Sequence, residues 1–299
     1  MLDGGFELRE VRPLAGMTNR TYRIVLNGRA YVLRLPGHGV ARLIDRGAER
    51  HNLDLAVRHG LAPSYLAFDA QSGELLMPAL EGARPLTAAR LRDDPRLRDR
   101  ALALLKRLHR SRLAFRGRFD PRARLAQYVR LLEARAGALG AEERAAVAEV
   151  DRLAREVAVP SETLCPCHND PVPENLLRCP DRLWLIDFEY AGWNDPLWDV
   201  ADAAVECGCT AEEAELWLAR YSGCAPRPDE LRRLYLWMAM ADVLWAIWAL
   251  LEATFAPQAA SGLRAYARDR LARAGRLVAS DRFRMHLGTW HQGARARPV

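Results

Sequence analysis

The stretch LCPCHNDPVPENLLRCPDRLWLIDFEY, residues 164 to 190, sets cysteines, a histidine, acidic residues and an asparagine into one proline-rich segment that runs into an apolar strand pattern. Two kinds of chemistry use such residues, a metal cage and a catalytic loop. Structural zinc sites usually space paired cysteines by two to four residues. Cys165 and Cys167 are separated by one, and with His168 they would need a fourth ligand from the distant Cys207 or Cys209. A zinc deaminase needs His-x-Glu followed by Pro-Cys-x-x-Cys, whereas here the Pro-Cys pair comes first and Asn169-Asp170 follows the histidine. What remains is Asp170, Asn175 five positions on, and Asp187 at the end of LWLI. Phosphoryl transfer needs this set: an aspartate to orient the attacking hydroxyl, and an amide oxygen and a carboxylate to hold magnesium against nucleotide phosphates. Each residue alone would be an ordinary turn or strand-end residue. It is their spacing, H-N-D-x-x-x-x-N and then I-D-F across a predicted hairpin, that points to catalysis.

On the N-terminal side of this loop, FELREVRPL, RTYRIVL and AYVLRLP alternate as antiparallel strands, with AGMTN as a turn and Asn27-Gly28 as a hairpin signal. IDRGAERHNLDLAVRHG follows as a helix, with apolar or small positions at Ile44, Ala48, Leu53, Leu55 and Ala56 and a stop at Gly60. YLAFDA and ELLMPAL, joined by a QSG turn, read as two more strands, and GARP at 82–85 as a connector. From about residue 95 helical periodicity takes over, interrupted by the hairpin of NLLRC and RLWLIDFEY around Pro180 and Asp181. The expected fold is α+β: a sheet-and-helix lobe over residues 1–82 and a mainly helical lobe over 83–299 that holds the catalytic loop.

With 299 residues the chain can bury its own core without disulfides or metal. Its formal charge of +6 is spread through helices in which acidic residues alternate with basic ones, as in RLRDRALALLKRLHRSR, so a solvated surface is expected and no nucleic-acid partner. Lys106 is the single lysine, so a cationic contact to phosphate should come from arginine. The start, MLDGGFELRE, lacks the basic and apolar regions of a signal peptide, and six scattered cysteines fit a cytoplasmic chain without disulfides. The segment at 234–255 is long enough to cross a membrane, but Asp242 near its centre predicts a buried helix.

CHNDPVPENLL and LIDFEYAGWNDPLWDVAD resemble the two central motifs of the choline/ethanolamine kinase family, within the wider group that includes aminoglycoside phosphotransferases. Glu-Tyr after Asp-Phe is the specific feature, since protein kinases and aminoglycoside phosphotransferases are expected to have glycine soon after that aspartate. The similarity covers most of residues 14 to 272 and implies a two-lobe protein-kinase-like fold with ATP and Mg²⁺ as cofactors. It implies Asp170 as the catalytic aspartate and His168 as a second catalytic residue, Asn175 and Asp187 as magnesium ligands, Arg34 on the nucleotide phosphates, and Glu49 as the partner of Arg34. Gly16, Met17, Thr18 and Asn19 look like the family's nucleotide loop, and Met77 and Ala79 join the nucleotide-binding set.

For the acceptor, Trp245 and Trp248 resemble a W-x-x-W that contributes to an aromatic box for a trimethylammonium head; by spacing alone, Trp248 also fits a core stripe with Trp237, Ala241, Leu244 and Leu251. Glu189, Tyr190, Glu206 and Tyr266 complete the implied substrate set. Leu263 stands where a second late tyrosine is expected, which leaves a smaller box, and Pro171 follows Asp170 where a larger apolar residue is common. Choline is the expected acceptor, with ethanolamine, thiamine, an aminoglycoside or another hydroxylated amine as alternatives, and a non-catalytic quaternary-amine-binding protein as the rival class. The chain is read as a monomer or homodimer without a membrane partner.

Overall fold

Asn27 and Gly28 both take positive φ, 47° and 74°, as a two-residue hairpin turn requires. The turn belongs to an antiparallel run of β1 (Leu8–Leu14), β2 (Arg20–Leu26) and β3 (Arg29–Leu35), in which Arg20 faces Leu35 and Leu26 faces Arg29. The computed structural model describes residues 8–14, 19–37, 39–157 and 159–286. Helix α1 (Arg46–Arg58) starts on Asp45, whose carboxylate accepts from the Ala48 N–H, and ends before Gly60 at φ 64°. Strands β4 (Ala67–Phe68) and β5 (Leu75–Pro78) close a five-stranded sheet in the order β1-β2-β3-β5-β4.

The connector residues Arg84–Pro85 form a short strand, β6, which pairs with the C-terminal hairpin rather than with the first sheet. The helical lobe is built from α2 (Ala88–Asp93), α3 (Pro95–Arg110), α4 (Pro121–Ala136) and α5 (Ala141–Glu156), followed by β7 (Cys165–Cys167), β8 (Leu176–Arg178), β9 (Leu183–Leu185) and β10 (Gly192–Asn194). Then come α6 (Pro196–Glu206), α7 (Ala211–Ser222), α8 (Pro228–Ala253) and α9 (Ala260–Ala279). The predicted hairpin is β8 against β9, with Leu177 opposite Trp184, and β7 pairs with β10.

Helix α8 passes through the middle of this lobe. It is long and apolar enough to cross a bilayer, yet its apolar window is almost wholly enclosed by α4, α5, α6 and α9. Asp242, in its centre, is reached by Arg270 at 3.1 Å and by Arg273 Nε at 2.8 Å, both from α9. A buried carboxylate would be costly unpaired, and two guanidiniums offset part of that cost, though burial still raises the Asp242 pKa.

The lobes meet where Gly39–Leu43 forms a 3-10 turn against the end of α8. The Val40 N–H donates to Glu252 at 3.1 Å. A Cβ on Gly39 would lie 2.8 Å from Glu252 and Phe255, so this approach needs glycine.

Candidate active site

Asn169 is the pin of the loop. Fully buried and at φ 69°, it donates through Nδ2 to the Tyr190 carbonyl at 2.9 Å, while Asn194 donates to its Oδ1 at 2.9 Å and the Trp198 indole to its carbonyl at 3.1 Å. Asn tolerates this left-handed conformation better than most residues. Asp199 of α6 accepts the N–H groups of His168 and Asn169, both at 2.8 Å, and His109 Nε2 at 2.8 Å. Asp195 caps α6 at Leu197 and accepts from Arg233 at 2.9 Å and from the Trp237 indole at 2.8 Å. The loop is therefore tied to α3, α6 and α8, and Asp170 emerges at its half-buried end.

Asn175 Nδ2 donates to the Asp170 carboxylate at 3.1 Å and to its carbonyl at 2.9 Å. Burial, followed by the charges of Asp187, Glu206 and Glu189, raises the Asp170 pKa well above the usual carboxylate range, against the pull of the Asn175 hydrogen bond. His168 faces inward: fully buried, it places Nε2 2.9 Å from the Ile186 carbonyl and its ring edge on Phe188. From there it positions the strand before Asp187 and does not reach the cleft, which corrects its expected place beside Asp170 in catalysis.

Asp187, at φ 65°, turns toward the first lobe. Arg34 of β3 donates to it at 2.6 Å, to Glu49 of α1 at 2.5 Å and to the Gly73 carbonyl at 3.1 Å. Burial opposes the Arg34 cation, yet Asp187, Glu49 and Glu189 together raise its pKa above the ordinary value. Asn19 Nδ2 donates to Asp187 at 3.1 Å and to Glu189 at 3.4 Å. Arg46 completes the cluster, reaching Glu49 at 2.6 Å and Glu189 at 3.1 Å. Glu189, expected at the acceptor, instead pairs with Arg46 and Asn19 on the Arg34 side of the loop. Burial and Asp187 push its pKa up to about 7, with Arg34 pulling it down. Gly16, Met17 and Thr18 lie outside the described residues. Met77 lies in β5 opposite Val32, and Ala79 donates its N–H to the Ala30 carbonyl at 3.0 Å.

Tyr190, next to Glu189 in the chain, opens an aromatic group. Tyr190 meets Trp245 edge to face at 5.5 Å between centroids, and Trp245 meets Trp248 likewise at 6.3 Å. The Trp245 indole donates to Asp202 of α6 at 2.8 Å. Tyr266 lies under the Arg270 guanidinium at 4.5 Å, and Arg270 also ion-pairs with Glu206. Tyr190 OH is 3.1 Å from Tyr128 OH, and Arg124 lies 5.8 Å from the Tyr190 ring centroid. Arg46, Asp202 and Arg270 are members of the site that sequence reasoning did not single out. For Asp202 and Arg270 the signal was a charged residue on an otherwise apolar, buried helix face.

The cysteines do not form a cage. Cys167 comes together with His109 and Asp199, while His168 turns away to Ile186. Burial pushes the Cys167 thiol well above its ordinary pKa. Cys165 and Cys167 are free and pack behind the loop.

A model of the phosphotransferase enzyme family matches residues 10–237. The chain belongs to that family. Among curated relatives it is 33% identical to Protein LicA of Haemophilus influenzae over 243 residues, covering 78% of this chain and 89% of that protein. Among solved structures it resembles a choline/ethanolamine kinase family protein of Mesorhizobium loti, with a TM-score of 0.78, 31% identity, and 95% and 93% of the two chains covered. It also resembles choline kinase LicA of Streptococcus pneumoniae, with a TM-score of 0.74, 27% identity, and 89% and 94% covered. An aminoglycoside phosphotransferase, 17% identical with a TM-score of 0.59 and 91% and 95% covered, shares the fold. This phosphotransferase is thus a small-molecule kinase of the choline/ethanolamine kinase type with a two-lobe protein-kinase-like fold.

Proposed function

We propose that the enzyme transfers the γ-phosphoryl group of ATP to the primary hydroxyl of choline. The observation that carries this reading is the place of Asp170. It feels the charges of Asp187 and Glu189 on the nucleotide side and of Glu206 on the aromatic side, so a hydroxyl held at the rings would meet a phosphate held at Arg34 beside this carboxylate. Asp170 orients the hydroxyl and takes its proton as the O–P bond forms, and Arg34 and Asn19 hold phosphate oxygens. A LicA structure solved with AMP, 27% identical to this chain, supports nucleotide binding.

Asn175 and Asp187 suit magnesium. Both offer hard oxygen donors, and the carboxylates of Asp187, Glu206 and Glu189, which after burial raise the Asp170 pKa, are a surplus of negative charge that a divalent cation would offset. Both Asp187 oxygens already accept a hydrogen bond, from Arg34 and Asn19, but each keeps a second acceptor position. When bound, the ion neutralises charge on the phosphates and the leaving group.

Choline fits the rings because a quaternary ammonium is held by aromatic faces and a nearby anion. Ethanolamine is the second reading: Arg270 covers one face of Tyr266, which leaves less aromatic surface for three methyl groups. The test compares kcat/KM for choline, ethanolamine, thiamine and an aminoglycoside with ATP and magnesium. Choline should rank first; a higher value for any other acceptor overturns the assignment of choline.

A further inference from the structure

The charges around the aromatic rings are unevenly matched. Glu206, the acidic residue expected at the acceptor, is already ion-paired with Arg270, and the same guanidinium donates to Asp242, which Arg273 also holds. Asp202 lies one turn before Glu206 on the same face of α6, at 0% exposure, and has no such partner. Its Oδ1 accepts the Trp245 indole N–H at 2.8 Å, and its Oδ2 has no hydrogen-bond partner. A buried carboxylate oxygen left open is costly unless something fills the place. The Trp248 indole N–H is likewise buried without a partner.

We propose that Asp202, rather than Glu206, is the anion that anchors the positively charged nitrogen of the acceptor, and so the residue that makes the enzyme select a cationic alcohol over a neutral one. This rests on the reading of the protein as an amino-alcohol kinase. Three facts converge on Asp202. It is fastened to Trp245, so its charge sits at the edge of the Tyr190–Trp245–Trp248 ring group. Burial, then the charges of Glu206 and of nearby Asp170, raise its pKa well above the usual carboxylate range, so the charge is costly until a cation arrives beside it, and the catalytic aspartate is close by. Arg270, stacked on Tyr266, donates through its two terminal nitrogens to Asp242 and Glu206 and makes no hydrogen bond to Asp202, which leaves the Asp202 carboxylate for the ligand to meet.

The test compares choline with 3,3-dimethylbutan-1-ol, which has the same shape with carbon in place of the charged nitrogen. Initial rates with ATP and magnesium give KM for both in the wild type, Asp202→Asn and Glu206→Gln. Asparagine keeps an oxygen for Trp245 and removes the charge. In Asp202→Asn the KM for choline should rise about tenfold or more while that for the neutral alcohol stays within about twofold, since one close charge pair is worth at least a factor of ten. Glu206→Gln should leave the ratio of the two KM values within about threefold of wild type, because its charge is already matched. Equal rises for both alcohols in Asp202→Asn would mean that Asp202 only holds Trp245, and would overturn the proposal. So would loss of the ratio in Glu206→Gln alone. Asp202→Ser, smaller and also neutral, repeats the comparison should the asparagine variant fail to fold. A wild type that phosphorylates neither choline nor ethanolamine overturns the functional reading and this assignment with it, whereas choline turnover with an unmoved ratio overturns the Asp202 assignment alone.

Discussion

Asp170 and Arg34 show how much single residues can be read in advance, and where that stops. Asp170, Asn175 and Asp187 are legible because phosphoryl transfer needs those functional groups at fixed spacing, and Arg34 and Glu49 because the resemblance to the choline/ethanolamine kinase family implies their pairing. Arg46 and Asn52 are not legible. The apolar pattern of the first helix points to Ile44, Ala48, Leu53, Leu55 and Ala56, yet α1 buries Arg46, Glu49 and Asn52 beside Leu53 and Ala56. Periodicity looks for apolar stripes, and this face is polar because it lines a charged cleft. Asp170→Asn should lower kcat by roughly 10²–10⁴ while the dissociation constant for choline, measured by calorimetry, stays near wild type. A few-fold loss would remove Asp170 from the chemistry. Arg34→Lys should lower kcat/KM for ATP by about tenfold or more, because a lysine cannot bridge Glu49 and Asp187 with a planar fork. Steady-state kinetics with varied ATP checks this, and unchanged values would place the nucleotide elsewhere.

Among elements, the QSG turn and helix α8 carry the clearest lessons. Gly73 reads in the sequence as ordinary turn punctuation. In the fold it sits at φ 81°, gives its carbonyl to Arg34, and leaves room for Arg46, whose guanidinium a Cβ would strike. Gly73→Ala should destabilise the protein by about 1–3 kcal/mol and raise the KM for ATP more than that for choline. Thermal unfolding and kinetics together check both parts. Helix α8 was legible as buried because Asp242 argues against a membrane span, but the partners of Asp242 lie on α9, about thirty residues on in sequence, where no local pattern reports them. Trp245 is both core, at 5% exposure, and a donor to Asp202 in the aromatic group. Trp245→Ala should therefore cost about 3–5 kcal/mol of stability and weaken choline more than ATP. Equal weakening of the two would leave it a core residue alone.

For the whole molecule, function depends on two lobes meeting over one loop, and the contact at Gly39–Leu43 and Glu252 is part of how they meet. Burial raises the Glu252 pKa, with the Val40 N–H pulling the other way. The folded state therefore favours the protonated carboxyl. That stability is present below the unfolded pKa of the glutamate and is lost as pH rises through the raised folded one. Glu252→Gln keeps an acceptor for Val40 without the charge, so its melting temperature relative to wild type should improve as pH is raised from 4 to 8. A constant difference across that range would show that the carboxyl is not strained by burial. The fold class itself was legible from strand alternation followed by helical periodicity, whereas the pairing of β6 with β8 and the seating of α6 on the loop are long-range events without a local signature. The central claim is that the two lobes join ATP to an amino alcohol. Phosphorus NMR of the full chain with ATP, magnesium and choline tests it most directly. ADP and a new phosphomonoester of choline should appear together, one for one. ATP consumed only to inorganic phosphate, or choline bound with ATP left intact, would contradict the account.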